Sequence, residues 1–444
     1  MLSINQTFIK RRDFLKGLSG LGLATTASLI LPSHLFGKQA PSNRIHLLMI
    51  GTGRQGIINM RQLFQFPQVR VVGVCDVDRW RAEEALKIVN ERYGDEDCKL
   101  FTDFREALEM DDLDAVMDST TDHWHAGVTL AAIAKGLHCC TEKPLTRYLA
   151  EGRAIANAAA AKGIVFRTDT ECRTHGYMNR IATLVRNGYL GQLRRIEVGV
   201  PGDAPGGDPT PAPVPDELDY DMWLGPAPLK EYVMDRVHPV KSLGRPGWMR
   251  YLDYCESTIT NWGTHLLDVA QLANDTERTG PVSVEGEGTY PDPDSGVWNV
   301  LTDFKVQYRY ADGLTLDYKV DVPYLRVEGD EGWIQGHWHS PGGLTASDNS
   351  FLRFRPAESD IQIPQRGDKE DFVHCIANNA PQESMIDAEV GHRTNSMCQI
   401  AHIAIMRGKR LDWDPNKEQF TNDPQANLLL DYEKRREGYE LPVL

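Results

Sequence analysis

The stretch IGTGRQG, Ile50 to Gly56, places three glycines at the G-x-G-x-x-G spacing directly after the apolar run Ile45–Ile50. Between a strand and a helix each glycine has its own task. Gly51 permits the tight turn, Gly53 lets the backbone approach a pyrophosphate, and Gly56 lets the helix pack close to the sheet. The run Ile57–Phe66 is helix-like and Val69–Cys75 is strand-like and β-branched, which supplies that setting. The start of the helix offers free N–H groups and a positive dipole end to phosphates. Asp76 closes the second strand, near the spacing of about 20 residues expected for the acid that holds the adenosine ribose hydroxyls. A carboxylate there repels a 2′-phosphate and favours NAD(H) over NADP(H), a preference that Arg54 and Arg79 would soften. The cofactor-binding set read from this region is Gly51, Thr52, Gly53, Arg54, Gln55, Gly56 and Asp76, joined further along by Thr120, His123 and Glu142.

Beyond this unit, apolar runs and helical patterns continue to alternate. Asp114–Asp118, Leu137–Thr141 and Ile164–Thr168 read as strands, and Ala126–Lys135 and Ala150–Lys162 as helices. The alternation predicts an α/β fold: an N-terminal Rossmann domain with a doubly wound parallel sheet over residues 43–168. In the second half, Val282–Gly288, Val300–Tyr310, Leu314–Val320 and Leu325–Glu328 read as strands, with a hairpin turn at Asp312–Leu314. Ala388–Met406 reads as a long helix, and the Pro/Gly-rich Pro201–Pro215 cannot be regular structure.

Chemistry is expected where open α/β sheets bind ligands, at the carboxyl ends of their strands. CCTEKPLT, Cys139 to Thr146, sits at such an end and would set Lys143 beside a nicotinamide, where it can hold a substrate hydroxyl and help take its proton. Taken alone, Lys143 also reads as a surface lysine before a rigidifying proline, and His265 as a core histidine.

E-K-P after a Rossmann half resembles the Gfo/Idh/MocA oxidoreductases. Thr121 to His138 is similar to the family segment before E-K-P, and MWLGPAP (Met222–Pro228) and WGTHLLDVAQ (Trp262–Gln271) resemble its second domain. Leu411 to Leu441 resembles the tail of its exported sugar-enzyme branch. The resemblance implies a C-terminal α+β domain with a large open mixed sheet over residues 169–444, which often mediates oligomers. It also implies that His265 faces the substrate as acid or base, so Lys143 and His265 are the expected catalytic pair. Arg173 matches a common family arginine, and with Tyr177, Asn261 and Trp262 it makes up the expected substrate-binding set. Many family dehydrogenases show Asp-x-Gly-x-His where this chain has Asn261-Trp262-Gly263-Thr264-His265; an amide cannot stabilise an imidazolium as a carboxylate does. Weaker candidates are Trp124, His175, Trp248 and Arg250.

The chain has 444 residues, a net charge of −15 and 41% hydrophobic residues. A nucleic-acid binder would be basic, so that class loses ground. The eight cysteines show no C-x-x-C and read mainly as buried thiols. His337 and His339 have metal-like spacing without a third ligand, and no metal is expected. Arg11-Arg12-Asp13-Phe14-Leu15-Lys16 resembles the twin-arginine export motif, followed by an apolar stretch, Gly17–Leu31, shorter than the roughly 20 residues that span a bilayer. Residues 1–42 are thus expected to be a leader for export to the periplasm or beyond, without stable membrane insertion. Three functions follow. The first is an exported NAD(H)-dependent oxidoreductase of a sugar, polyol or glycoside hydroxyl, homo-oligomeric, with a tightly bound and recycled cofactor. The second is an NAD-dependent glycosidase working through transient oxidation and elimination. The third is a non-catalytic sugar-binding protein.

Overall fold

The computed structural model describes residues 44–338 and 343–442. The leader and His339 lie outside the described residues. Strand β1 (Ile45–Ile50) runs apolar along nearly its whole length because it occupies the middle of a parallel sheet covered on both faces. β2 (Val69–Cys75), β3 (Lys99–Phe101), β4 (Ala115–Asp118), β5 (His138–Glu142) and β6 (Phe166–Asp169) complete the order β3-β2-β1-β4-β5-β6, every pair parallel. The order reverses between β1 and β4, which opens a crevice at their carboxyl ends. The first helix, Arg54–Leu63, begins earlier than its apolar periodicity indicates, because Gly53 is its N-cap and its first turn is polar.

Side chains from the far end of the chain finish this half. Phe372 and Val373, on the helix Asp368–Ala377, share one apolar core with Leu47, Met49 and Val74.

The second sheet comprises β7 (Leu193–Val200), β8 (Ser283–Thr289), β9 (Asp303–Arg309), β10 (Thr315–Val320), β11 (Tyr324–Gly329), β12 (Gly332–His337), β13 (Leu344–Ala346), β14 (Leu411–Asp414) and β15 (Gln419–Phe420). Their order is β13-β12-β11-β7-β10-β9-β8-β14-β15. Only β7–β10 is parallel, so the sheet is mixed. The β9–β10 hairpin turns through Gly313 at φ +91°, as the Asp-Gly pair predicts. Ile196, Val198 and Val200 pack with the helices Gly176–Arg186, Gly263–Ala273 and Ala388–Arg407 in a second core. Their neighbours Arg195 and Glu197 pair with each other, and Arg195 also pairs with Asp317. The chain is therefore an α/β protein with a Rossmann sheet followed by a mixed-sheet domain. Residues 201–215 form no regular element. All eight cysteines are buried free thiols. Among the described residues no helix is long and apolar enough to cross a membrane.

Candidate active site

A cavity of about 550 Å³ runs from the glycine turn, past the ends of β4, β5 and β6, to the start of the helix Gly263–Ala273. Gly51 sits at φ +81°, and a Cβ on it would lie 2.5 Å from the Ser119 backbone. A Cβ on Gly56 would lie 2.0 Å from the Gly51 carbonyl oxygen. The turn therefore holds its shape only with glycine at both positions. No side chain caps the helix at Gly53, and Gly53, Arg54 and Gln55 at its start line the cavity. This tight glycine turn, with an uncapped helix start on the cavity, fits a dinucleotide.

Asp76 lines the cavity at the end of β2, beside the glycine turn. Its Oδ2 accepts from Thr52 N at 2.7 Å and Thr52 Oγ1 at 3.2 Å, and its Oδ1 accepts from Asp78 N at 2.9 Å. Burial pushes its pKa up, opposed by the nearby Arg81 guanidinium and these hydrogen bonds. Thr52, fully buried, acts through Asp76 and does not line the cavity. Of the remaining cofactor set, Gly53, Arg54, Gln55, Thr120 and Glu142 line the cavity, while Gly56 lies behind the turn. His123 is a correction: it is buried, with Nε2 3.1 Å from Trp223 O and its ring against Trp223 and Tyr254, so it packs the domain junction and does not reach the cavity.

Lys143 and His265, far apart in sequence, both line the other end. Glu142 fixes the strand end: Oε1 accepts from Asn59 Nδ2 at 2.8 Å and Oε2 from Lys143 N at 3.1 Å. Lys143 Nζ then donates to Asn261 Oδ1 at 3.0 Å and Asn261 O at 3.2 Å. His265 Nδ1 and Thr170 Oγ1 are 2.7 Å apart, which leaves Nε2 as the ring nitrogen for a substrate. Burial, reinforced by the Lys143 and His175 charges, holds the His265 pKa well below the ordinary histidine range, so the ring is neutral at neutral pH. Trp262 and Trp338 make an aromatic wall, their ring centres 5.3 Å apart and Trp338 4.9 Å from His265.

Two of the expected substrate contacts are not in the cavity. Arg173 is 4% exposed and makes a bidentate ion pair with Asp268, both bonds 2.7 Å, plus Glu277 at 2.9 Å and Met385 O at 2.8 Å. It buttresses the helix that carries His265, because a buried guanidinium needs its carboxylates more than a sugar does. Tyr177 donates to Trp338 O at 2.7 Å, so it holds the aromatic wall from behind. Trp248 and Trp124 line the cavity; Arg250 instead pairs with Asp203 and stacks on Trp298.

Other lining residues escape a linear reading. Glu171 follows β6 and faces the Lys143 end, its pKa raised by burial and by Asp368. Asp169 and Asp368 also line the cavity, and Lys369, which does not reach it, is buried between them. Arg81 and the segment around His238 and Arg245 line the glycine-turn end. Arg81 stands in the same DVDRWR run as Asp76, a signal within reach of the sequence; the others come from long-range folding. Among the described residues no group of three or more His, Cys, Asp or Glu side chains is placed to hold a metal.

A 3-2-1-4-5-6 parallel sheet, a bare helix start over a three-glycine turn, and a lysine and an imidazole sharing one crevice define a two-domain, dinucleotide-type oxidoreductase. The chain belongs to the Gfo/Idh/MocA oxidoreductase family. Residues 45–170 match its NAD-binding Rossmann fold, and residues 207–440 match its C-terminal alpha/beta domain. Among curated relatives, a glycosyl hydrolase family 109 protein 1 from Shewanella sp. (strain MR-4) is 27% identical over 213 residues, 42% of this chain and 44% of that protein. The chain thus matches less than half the length of that relative. Among solved structures, aldose-aldose oxidoreductase from Caulobacter crescentus, complexed with glycerol, superposes with a TM-score of 0.61 at 17% identity, covering 83% of this chain and 99% of that one. The WlbA dehydrogenase from Bordetella pertussis, in complex with NADH and UDP-GlcNAcA, gives a TM-score of 0.59 at 15% identity, covering 84% and 99%. These likenesses show a shared fold.

Proposed function

We propose that the protein is an NAD(H)-dependent oxidoreductase acting on a hydroxyl of a sugar, polyol or glycoside. The observation that carries this reading is the convergence of Lys143 and His265, from the two halves of the chain, in a cavity that starts at the glycine turn. Gly51, Gly53, Arg54 and Asp76 would hold the dinucleotide, which supplies the hydride acceptor when bound. The Lys143 ammonium binds the substrate oxygen, held in place by Asn261. Neutral His265 accepts the hydroxyl proton at Nε2, a role that Asn261 cannot share. The Trp262 and Trp338 indoles suit the apolar face of a sugar ring.

The leader motif supports export by the twin-arginine route. No soluble nicotinamide pool is expected outside the cytoplasm, so the cofactor stays bound and is recycled. The nine-stranded sheet is the surface proposed for homo-oligomerisation.

A second reading is net hydrolysis of a glycoside by the same residues, favoured by the family 109 glycosyl hydrolase relative. Incubating the full chain with a panel of glycosides and analysing products separates the two. A keto sugar supports oxidation, a free aglycone with unchanged oxidation state supports hydrolysis, and no change in any substrate overturns both.

A further inference from the structure

The cavity wall nearest the glycine turn is not made by the Rossmann half alone. His238, Gly244, Arg245, Pro246, Trp248 and Met249 all line it. They lie on one segment, residues 237–249, that has no strand or α-helix. The segment is pinned across the turn. Arg81, 5% exposed and packed beside Gly53, donates to Ser242 O at 2.9 Å and to Pro239 O at 3.5 Å. Lys241 pairs with Glu217 at 2.5 Å, and Trp248 N donates to Val237 O at 3.1 Å, closing the segment on itself.

Two guanidinium groups from different elements meet the same cavity. Arg54 opens the helix over the glycine turn, and Arg245 comes from the segment. Both side chains are exposed at the cavity, and neither makes a hydrogen bond or ion pair among the described residues. Burial and the charges of Arg250 and Arg54 lower the Arg245 pKa, and Asp203 offsets part of that effect. Two unpaired cations beside a bare helix N-terminus call for an anion of charge about −2, and a planar guanidinium suits phosphate oxygens.

We propose that residues 237–249 are a clasp over the bound dinucleotide, in which Arg245 joins Arg54 on the pyrophosphate and holds the cofactor in place between turnovers. This rests on the dinucleotide reading above and assigns to the second half of the chain a cofactor contact beyond the glycine turn.

Full-length protein, first freed of any co-purifying dinucleotide, is titrated with NADH, and binding is followed by its fluorescence, with ADP-ribose and adenosine as competing ligands. Arg245→Gln is expected to weaken NADH and ADP-ribose by at least about tenfold while changing adenosine by less than twofold, and Arg245→Lys to recover part of the loss. Circular dichroism checks that both variants fold. If the Gln variant binds ADP-ribose like wild type, or loses adenosine equally, the clasp is wrong and the dinucleotide reading stands. If wild-type protein binds neither NADH nor ADP-ribose, both fall.

Discussion

Lys143 Nζ donates to both the side-chain and the main-chain oxygen of Asn261, at 3.0 and 3.2 Å. The double contact fixes the ammonium without placing a negative charge against it. On the proposed function the charge remains free for a substrate oxygen, and proton acceptance falls to His265.

Lys143→Ala is expected to reduce turnover by about 10³-fold, within the range of a lost acid–base group. Dinucleotide affinity should stay within a few-fold, because Lys143 stands at the opposite end of the cavity from Asp76. Steady-state kinetics and NADH titration on one preparation check this. Normal turnover would misplace the reaction site.

Because burial and the Lys143 charge depress the His265 pKa, the imidazole stays neutral well below its ordinary titration range. A base with a lowered pKa works at every pH above that value, so kcat/KM should show no acid limb from this group between pH 8 and about 6. NMR titration of the His265 ring should likewise show no protonation over that interval. A limb near the usual histidine value, abolished in His265→Gln, would contradict the assignment.

Arg173→Ala leaves Asp268, fully buried, without its cation. Breaking such a pair costs about 3–5 kcal/mol. A large fall in denaturation midpoint is expected, with KM nearly unchanged at a temperature where the variant is folded. A specific rise in KM without loss of stability would return Arg173 to the substrate site.

Asp76→Ala removes the carboxylate fixed by Thr52 and Asp78 and leaves Arg81 beside the ribose end. The preference for NAD(H) over NADP(H) should drop by tenfold or more, about 1.4 kcal/mol per factor of ten. Binding titrations with both cofactors measure it.

Much of the Rossmann half was legible because its signals are local. The glycine spacing, the β-branched runs and Asp76 all fall within one strand–turn–helix–strand unit. Lys143 was placed by the strand before it, and His265 by family likeness. Arg173 and His123 were misplaced because charge and ring chemistry read the same in a core as in a cavity. What separates them is Asp268 and Glu277 for one and Trp223 and Tyr254 for the other, partners that only folding brings near. Glu171, Arg245 and the wall residue Trp338 carry no periodic pattern, and their places follow from long-range packing.

The helix Asp368–Ala377 packs on the helix Arg54–Leu63 and on β6, and its Phe372 and Val373 complete the apolar core that holds Leu47 and Met49, which bears on how this chain comes to be. Domains generally fold as units, N-terminal first, while synthesis proceeds. Here part of the apolar core around the first helix, Arg54–Leu63, and β6 stays uncovered until the helix Asp368–Ala377 has left the ribosome. The nucleotide crevice is thus finished late in translation, and a nascent chain arrested before that helix would present a sticky, half-dressed sheet to chaperones.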